Sequence, residues 1–307
     1  MSRANDVELI RTSGATSAER RALERDVHRG RFERLRPGVL VHPGALDGLH
    51  PGEQHHVLVR ASAHRIRDTD VVSHQSACAV LGLPLVAAAP PKVHLSDPTT
   101  THTRVTAWFV RHGSQMRPPA VRIDEDSIPT TTPARTAIDV AATRALFEAL
   151  PVVDAVLSRR LSDRATLEAE FAALTAARSK AGIAIAMGSA LSGSPAESVC
   201  RVRFRELGVP EPVQQHVFAR AGSSTAVVDF WFPDQGVVVE VDGRAKYEDP
   251  VMLDGRSTAD VHWREKRREE FIRSCPGVRA VIRLSWSDLM QPDRVRAALR
   301  RAGVPCG

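Results

Sequence analysis

The stretch VVDFWFPDQGVVVEVDG, from Val227 to Gly243, constrains the fold more than any other part of the chain. Two runs rich in valine and aromatic residues flank a Pro-Asp-Gln-Gly segment, which reads as two antiparallel strands joined by a tight turn. Each run carries a carboxylate, Asp229 in the first and Glu240 in the second. An ionised carboxylate inside a strand is costly unless it is paired or holds a metal. With the turn centred between Asp234 and Gln235, residue 229 falls opposite residue 240, and like charges directly opposite destabilise a sheet. A positive group is therefore expected between them.

Side-chain alternation sends Glu240 and Asp242 to one face and Val239 and Val241 to the other, while Trp231 shares the face of Asp229. Three carboxylates converging there, Asp229, Glu240 and Asp242, would favour a hard divalent cation, Mg2+ or Mn2+. Such an ion would activate water and stabilise charge developing on a phosphoryl oxygen. Two other readings stand beside this one. Asp242-Gly243 is a common turn pair. Asp229 and Glu240 could instead sit in a buried ion pair with an arginine, and the following helix VHWREKRREEFIR supplies Arg264, Lys266, Arg267 and Arg268 as candidates. Upstream, SPAESVCRVRFRELG opens a helix with Ser194 as N-cap, Pro195 at the first helical position and Glu197 three residues after the cap, where it can simply reach back to the Ser194 amide. Downstream, VIRLSW predicts a strand carrying Arg283, with Trp286 in the core. DRVRAALRRAG predicts a helix that lays Val295, Ala298 and Leu299 on the sheet.

The chain of 307 residues is long enough for two or three cores, and 43% hydrophobic with 25% charged residues is ordinary for a globular protein. Its net charge of +6 is compatible with a nucleic-acid partner without demanding one. Nearly all the positive charge is arginine, the lysines being Lys92, Lys180, Lys246 and Lys266. Cys78, Cys200, Cys275 and Cys306 form no CxxC pair, so reduced thiols and a cytoplasmic location are expected. The start MSRANDVELIRTSG lacks a signal-peptide core, and the apolar tract ACAVLGLPLVAAAPP is too short and proline-broken to span a bilayer. Neither HExxH nor GxxxxGK[ST] occurs, which speaks against a zincin and a P-loop NTPase.

Three regions separate by texture, at 1–46, 47–188 and 189–307. In the first, Asn5 can cap a helix through about Ser13, Gly14 stops it, and Ser17 can cap a second helix with Ala22, Leu23 and Val27 on its apolar side, ending at Gly30. FERLRPGVLVH then predicts a hairpin around Pro37-Gly38. This is the order of a winged helix. Arg20, Arg21 and Arg25 would lie on the exposed face of the second helix, and Arg29, Arg31, Arg34 and Arg36 would run into the hairpin, placed to contact DNA. The competing reading is a solvated arginine face laced with Glu19, Glu24 and Asp26. The middle region predicts a helix over Gln54 to His64, strands at KVHLS and TRVTAWFVRH, and helices from Leu146 to about Ala186. His74, beside Ser73 and Ser76, has no acid near it in sequence and reads as structural. GSALSGSPAES marks a boundary before the last region.

The segment SAERRALERDVHRGRFERLRPGVLVHP resembles the N-terminal winged-helix domain of AbiEi-type antitoxins and transcriptional regulators, and SHQSACAVLGLPL and TTPARTAIDVA resemble the second part of such proteins. That resemblance implies sequence-specific DNA binding, with a cognate toxin as a further partner. The region from SPAES through VDFWFP, VVVEVDGRAKY and VIRLSWSDL resembles the PD-(D/E)XK restriction-endonuclease-like fold, in the group similar to very-short-patch-repair endonucleases. It implies a central mixed sheet flanked by helices. It also implies a catalytic set of Glu197, Asp229 and Glu240 around Mg2+ or Mn2+. Asp242 stands where that pattern has its lysine, leaving Lys246, aided by Arg264 or Arg267 of the next helix, as the cation in its place. The expectation is thus a multi-domain α/β protein that binds DNA and hydrolyses phosphodiesters. The alternative is a non-catalytic regulator or antitoxin that uses the nuclease-like fold to bind DNA or a partner. Operator-binding winged helices are often dimeric, so a homodimer is expected by analogy.

Overall fold

In a computed structural model, residues 2–114, 118–123, 127–174, 177–220, 225–242 and 258–307 are described, the side chains at 122–123 and 258–265 excepted. The chain is mixed α/β and divides into two compact units, Met1–Val156 with Arg160–Ala186, and Met187–Gly307 with Leu157–Arg159. None of the described helices is long and apolar enough to cross a membrane.

The first unit opens differently from the expected helix. Ser2, not Asn5, caps a single 3-10 turn at Arg3–Asp6, and the chain then extends into β1 (Ile10–Arg11). The reason lies in the packing of Ala4 and Val7, which join Val41 and Val57 in a small core that a helix through Ser13 would pull apart. β1 pairs antiparallel with β3 (Val39–Val41), which pairs in turn with β2 (Glu33–Arg36), giving the order β1-β3-β2. Between β1 and β2 lies α1 (Ser17–His28), with Thr16, not Ser17, at the N-cap in a reciprocal capping box with Glu19. The hairpin turn after Arg36 uses Gly38 at φ 83°, a left-handed conformation that glycine adopts at little cost. α2 (Pro51–Ser62) begins with the imidazole of His50 accepting the Gly52 and Glu53 amides, and ends before the expected His64 in a short 3-10 turn.

A six-stranded mixed sheet follows, formed by β4 (Val71–Val72), β5 (Val93–Asp97), β6 (Arg104–Val105), β7 (Phe109–Gly113), β8 (Ala120–Ile123) and β9 (Ile128–Thr131) in the order β6-β7-β5-β4-β9-β8. β5 and β7 are parallel neighbours, as are β4 and β9. Val72, Val93, Leu95 and Phe109 of the sheet bury against Val59 of α2 and Ala77 and Val80 of α3 (His74–Val80). α4 (Pro133–Thr143) starts on Thr132, whose hydroxyl accepts the Arg135 amide, with Pro133 at the position where its missing N–H costs nothing. The helical stretch expected to Ala186 is three helices, α5 (Leu146–Ser158), α6 (Arg164–Ala172) and α7 (Arg178–Met187).

In the second unit α8 (Pro195–Glu206) precedes β10 (Val213–Ala219), β11 (Thr225–Phe232) and β12 (Val237–Asp242). α9 (Thr258–Arg273), β13 (Ala280–Ser285), α10 (Trp286–Leu289) and α11 (Pro292–Ala302) follow. The sheet order is β10-β11-β12-β13, antiparallel except for the last pair. Phe204 of α8 meets the edges of Phe230 and Phe232, while Ile272 of α9 packs with Val228, Trp231 and Val238, so each helix covers its own set of sheet residues. α11 buries Val295 and Leu299 fully and Ala298 in part.

Candidate functional site

The arginines assigned to DNA separate into two groups. Arg21, Arg25 and Arg29 follow one another at intervals of four along and just past α1, and all three are exposed. Arg20 is exposed too and donates to the Ala15 carbonyl at the start of the helix, 3.0 Å away. α1 buries none of its side chains fully, Ala22, Leu23 and Val27 being half-covered, so the whole helix stands at the surface. Arg34 on β2 donates to both carboxylate oxygens of Glu24 at 2.8 and 2.9 Å, tying the hairpin to the helix. Arg36 departs from expectation. It is 8% exposed, lies 4.7 Å over the Trp108 ring and donates to the Pro91 carbonyl at 3.1 Å. Regular alternation would put Arg34 and Arg36 on one face, but the register shifts between them, Arg34 pairing with Leu40 and Arg36 with Val39, and this irregularity turns Arg36 inward as an internal brace.

The two strand carboxylates meet the expected register. Phe230, Trp231 and Phe232 pair with Val239, Val238 and Val237, and continuing that register by one places Asp229 across from Glu240. Their side chains nevertheless diverge. Val228 and Trp231 both join the cluster under α9, whereas Phe230 and Phe232 lie against α8. A regular strand would put 228 and 230 on one face, so the alternation slips at Asp229. The residue across from it on β10 is Gln215, which is skipped by the ladder and takes a left-handed φ of 50°.

Glu240, 8% exposed, faces α9 and is held by Arg268. Nη1 donates to Oε2 and Nη2 to Oε1, both at 3.0 Å, and Nη2 also reaches the Val227 carbonyl at 2.6 Å. Of the two readings of these acids, the arginine pair is thus the arrangement seen at Glu240. Asp229 accepts the Val241 amide at 2.8 Å, a bond that a continued ladder would have made through the backbone. Its charge, with that of Glu197, reinforces burial in pushing the Cys200 thiol on α8 well above its usual range, so that thiol stays protonated. Glu197 is employed by its own helix end. It accepts from the Gly193 amide at 2.9 Å, not the expected Ser194 amide, from the Ser194 hydroxyl at 2.9 Å and from Gln215 Nε2 at 2.9 Å. Among the described residues no three His, Cys, Asp or Glu side chains gather as a metal-binding group; Glu240 is engaged by Arg268 and Asp229 by the Val241 amide. Lys246 lies outside the described residues, and Arg264 and Arg267 both fall on α9, the Arg264 side chain being outside the described set and Arg267 exposed.

A polar cluster that sequence reasoning missed lies in the first unit. His74, at the start of α3 with a φ of 53°, has its ring stacked 3.7 Å from that of His112 on β7. His112 Nε2 lies 3.0 Å from His94 Nδ1 on β5. The acid that His74 lacks in sequence comes from α4, Asp139 Oδ2 being 4.0 Å from its Nδ1. Asp139 Oδ1 accepts from Arg135 at 2.8 Å, while its Oδ2 is buried with no hydrogen-bond partner, and burial raises the carboxyl to about 6. The alanine-rich run PARTAIDVAA concealed this acid, because only the fold brings α4 to the end of α3.

The AbiEi antitoxin C-terminal domain family matches residues 70–187, from the start of β4 to the end of α7. The match includes SHQSACAVLGLPL and TTPARTAIDVA, and with them the histidine cluster; the region with the endonuclease resemblance lies outside it. Among solved structures, the crystal structure of the RV2827C protein from Mycobacterium tuberculosis is similar at 16% identity, over 72% of this chain and 84% of that one, with a TM-score of 0.37. No curated protein matches the chain.

Proposed function

We propose that the protein is a DNA-binding regulator of antitoxin type, in which α1 and the β2–β3 hairpin engage DNA and the domain at 70–187 engages a toxin. The observation that carries this reading is the antitoxin-domain match at 70–187. The surface ahead of it supports the DNA half: Arg21, Arg25 and Arg29 form an exposed stripe along and just past a helix with no fully buried side chain, next to a hairpin whose Arg34 pairs with Glu24 of that helix. A helix presented in this way can enter the major groove while the hairpin rests on flanking phosphates. Each arginine that neutralises a phosphate releases counterion, so affinity falls steeply with salt.

The test is fluorescence anisotropy with DNA selected from a random pool by the full chain. Expected is salt-dependent binding that weakens on Arg21→Ala and Arg25→Ala, each lowering the salt slope by about one. Failure to enrich any sequence, or binding indifferent to salt and to both substitutions, sinks the reading.

A further inference from the structure

We propose that His74, His94 and His112 form an acid-sensitive latch, in which proton uptake among the packed imidazoles separates the start of α3 from β5 and β7 and loosens the domain at 70–187. In the β5–β7 register Ser96 faces His112, so His94, two residues earlier, lies diagonally across from it on adjacent strands. The 3.0 Å contact between their nitrogens needs one ring to donate and the other to accept, which two neutral imidazoles satisfy. His74 completes the set by stacking on His112, the rings inclined by 18°, with its Nδ1 2.9 Å from the Ser73 hydroxyl. A second proton anywhere in this set would bring two cations within contact of each other, with His74 buried and His94 and His112 half-buried.

The surroundings resist even the first proton. Arg135 of α4 bears on His74, Arg144 at the end of α4 bears on His94, and His55 of α2, itself bonded to Ser76 at 2.7 Å, adds to the pressure on His94. The nearby acids are already committed: Glu148 of α5 pairs with Arg144 at 2.7 Å, and Glu170 of α6 lies 3.8 Å from Arg135. Cys78 on α3 is buried, and its thiol is far too weak an acid to help. Asp139, 4.0 Å from His74, is the carboxylate placed to balance its charge, yet burial makes it take its own proton at about 6. Acidification therefore removes the counter-charge before the imidazoles charge.

Burial lowers His94 to about 3 and His112 to about 4, and holds His74 well below its ordinary value. A histidine lowered in the folded state contributes stability above its unfolded value, near 6.5, that is lost as the pH falls towards the folded one. Asp139, raised in the folded state, works the other way, but it is one group against three.

Hydrogen–deuterium exchange of the full chain at pH 7.5 and 5.0, corrected for the intrinsic pH dependence of amide exchange, tests the latch. Expected is a loss of protection of about tenfold or more in peptides covering α3, β5 and β7, with β11 and β12 retaining theirs; tenfold corresponds to a single pKa unit. His112→Phe, which keeps the stack without the titrating nitrogens, should shrink that loss. Exchange of the imidazole C2 hydrogens in the unmodified protein decides independently should the variant not fold. Midpoints below 5 for His94 and His112 support the latch. Midpoints between 6 and 7, or equal protection at the two pH values, overturn it.

Discussion

Glu240 and Arg268 form an asymmetric pair, and the asymmetry is measurable. Removing the arginine takes the bidentate partner from a glutamate side chain that is 11% exposed, whereas removing the glutamate leaves an arginine side chain 31% exposed that can turn to water. Arg268→Ala is expected to cost about 2–4 kcal/mol and Glu240→Ala about 1 kcal/mol, below the full cost of a broken buried pair because solvent screens the arginine. Urea unfolding of the two variants checks it, and equal losses would show that burial of the glutamate is not what sets the energy. Arg36 makes the complementary case. Arg36→Ala should lower stability by about 1–2 kcal/mol through the lost ring and packing contacts. It should leave the DNA salt slope unchanged, the reverse of Arg25→Ala.

At the scale of elements, the turn between β11 and β12 shows how far local rules reach. The Pro-Asp-Gln-Gly turn predicted which residues face one another, and Phe230, Trp231 and Phe232 pair accordingly. Gly236 is why the turn closes: its φ is 66°, and a Cβ there would collide with the Gly277 carbonyl. Gly236→Ala should therefore destabilise by about 2 kcal/mol or more, seen as a lower midpoint in thermal melts followed by circular dichroism. The slip at Asp229 was not readable from the turn. It arises where β10 presents Gln215 in a left-handed conformation and two helices compete for adjacent side chains of β11. Similarly, the expected helix from Asn5 yielded to a 3-10 turn and a strand, because a two-residue edge on β3 and burial of Val7 satisfy the chain better than a short helix.

At the scale of the whole molecule, division into two compact units predicts that Met187–Gly307, expressed alone, unfolds cooperatively; a broad, featureless transition would argue against it. The antitoxin-domain match ends at residue 187, at the boundary between the two units, and no comparison supports the nuclease expectation for the second unit. What is local was legible in the sequence: the hairpins, through Pro37-Gly38 and the 233–236 turn; the exposed helix face carrying Arg20, Arg21 and Arg25; and the amphipathic closing helix, through Val295 and Leu299. What depends on partners distant in the chain came from the packing of the folded units. It turned Arg36 onto Trp108, gave Glu240 to Arg268, and set Asp139 beside a stack of imidazoles. The physical reason is the same in each case. Periodicity tells which residues share an element's face, but the charge state and use of a polar side chain follow from which distant group is packed against it and how much water is left between them.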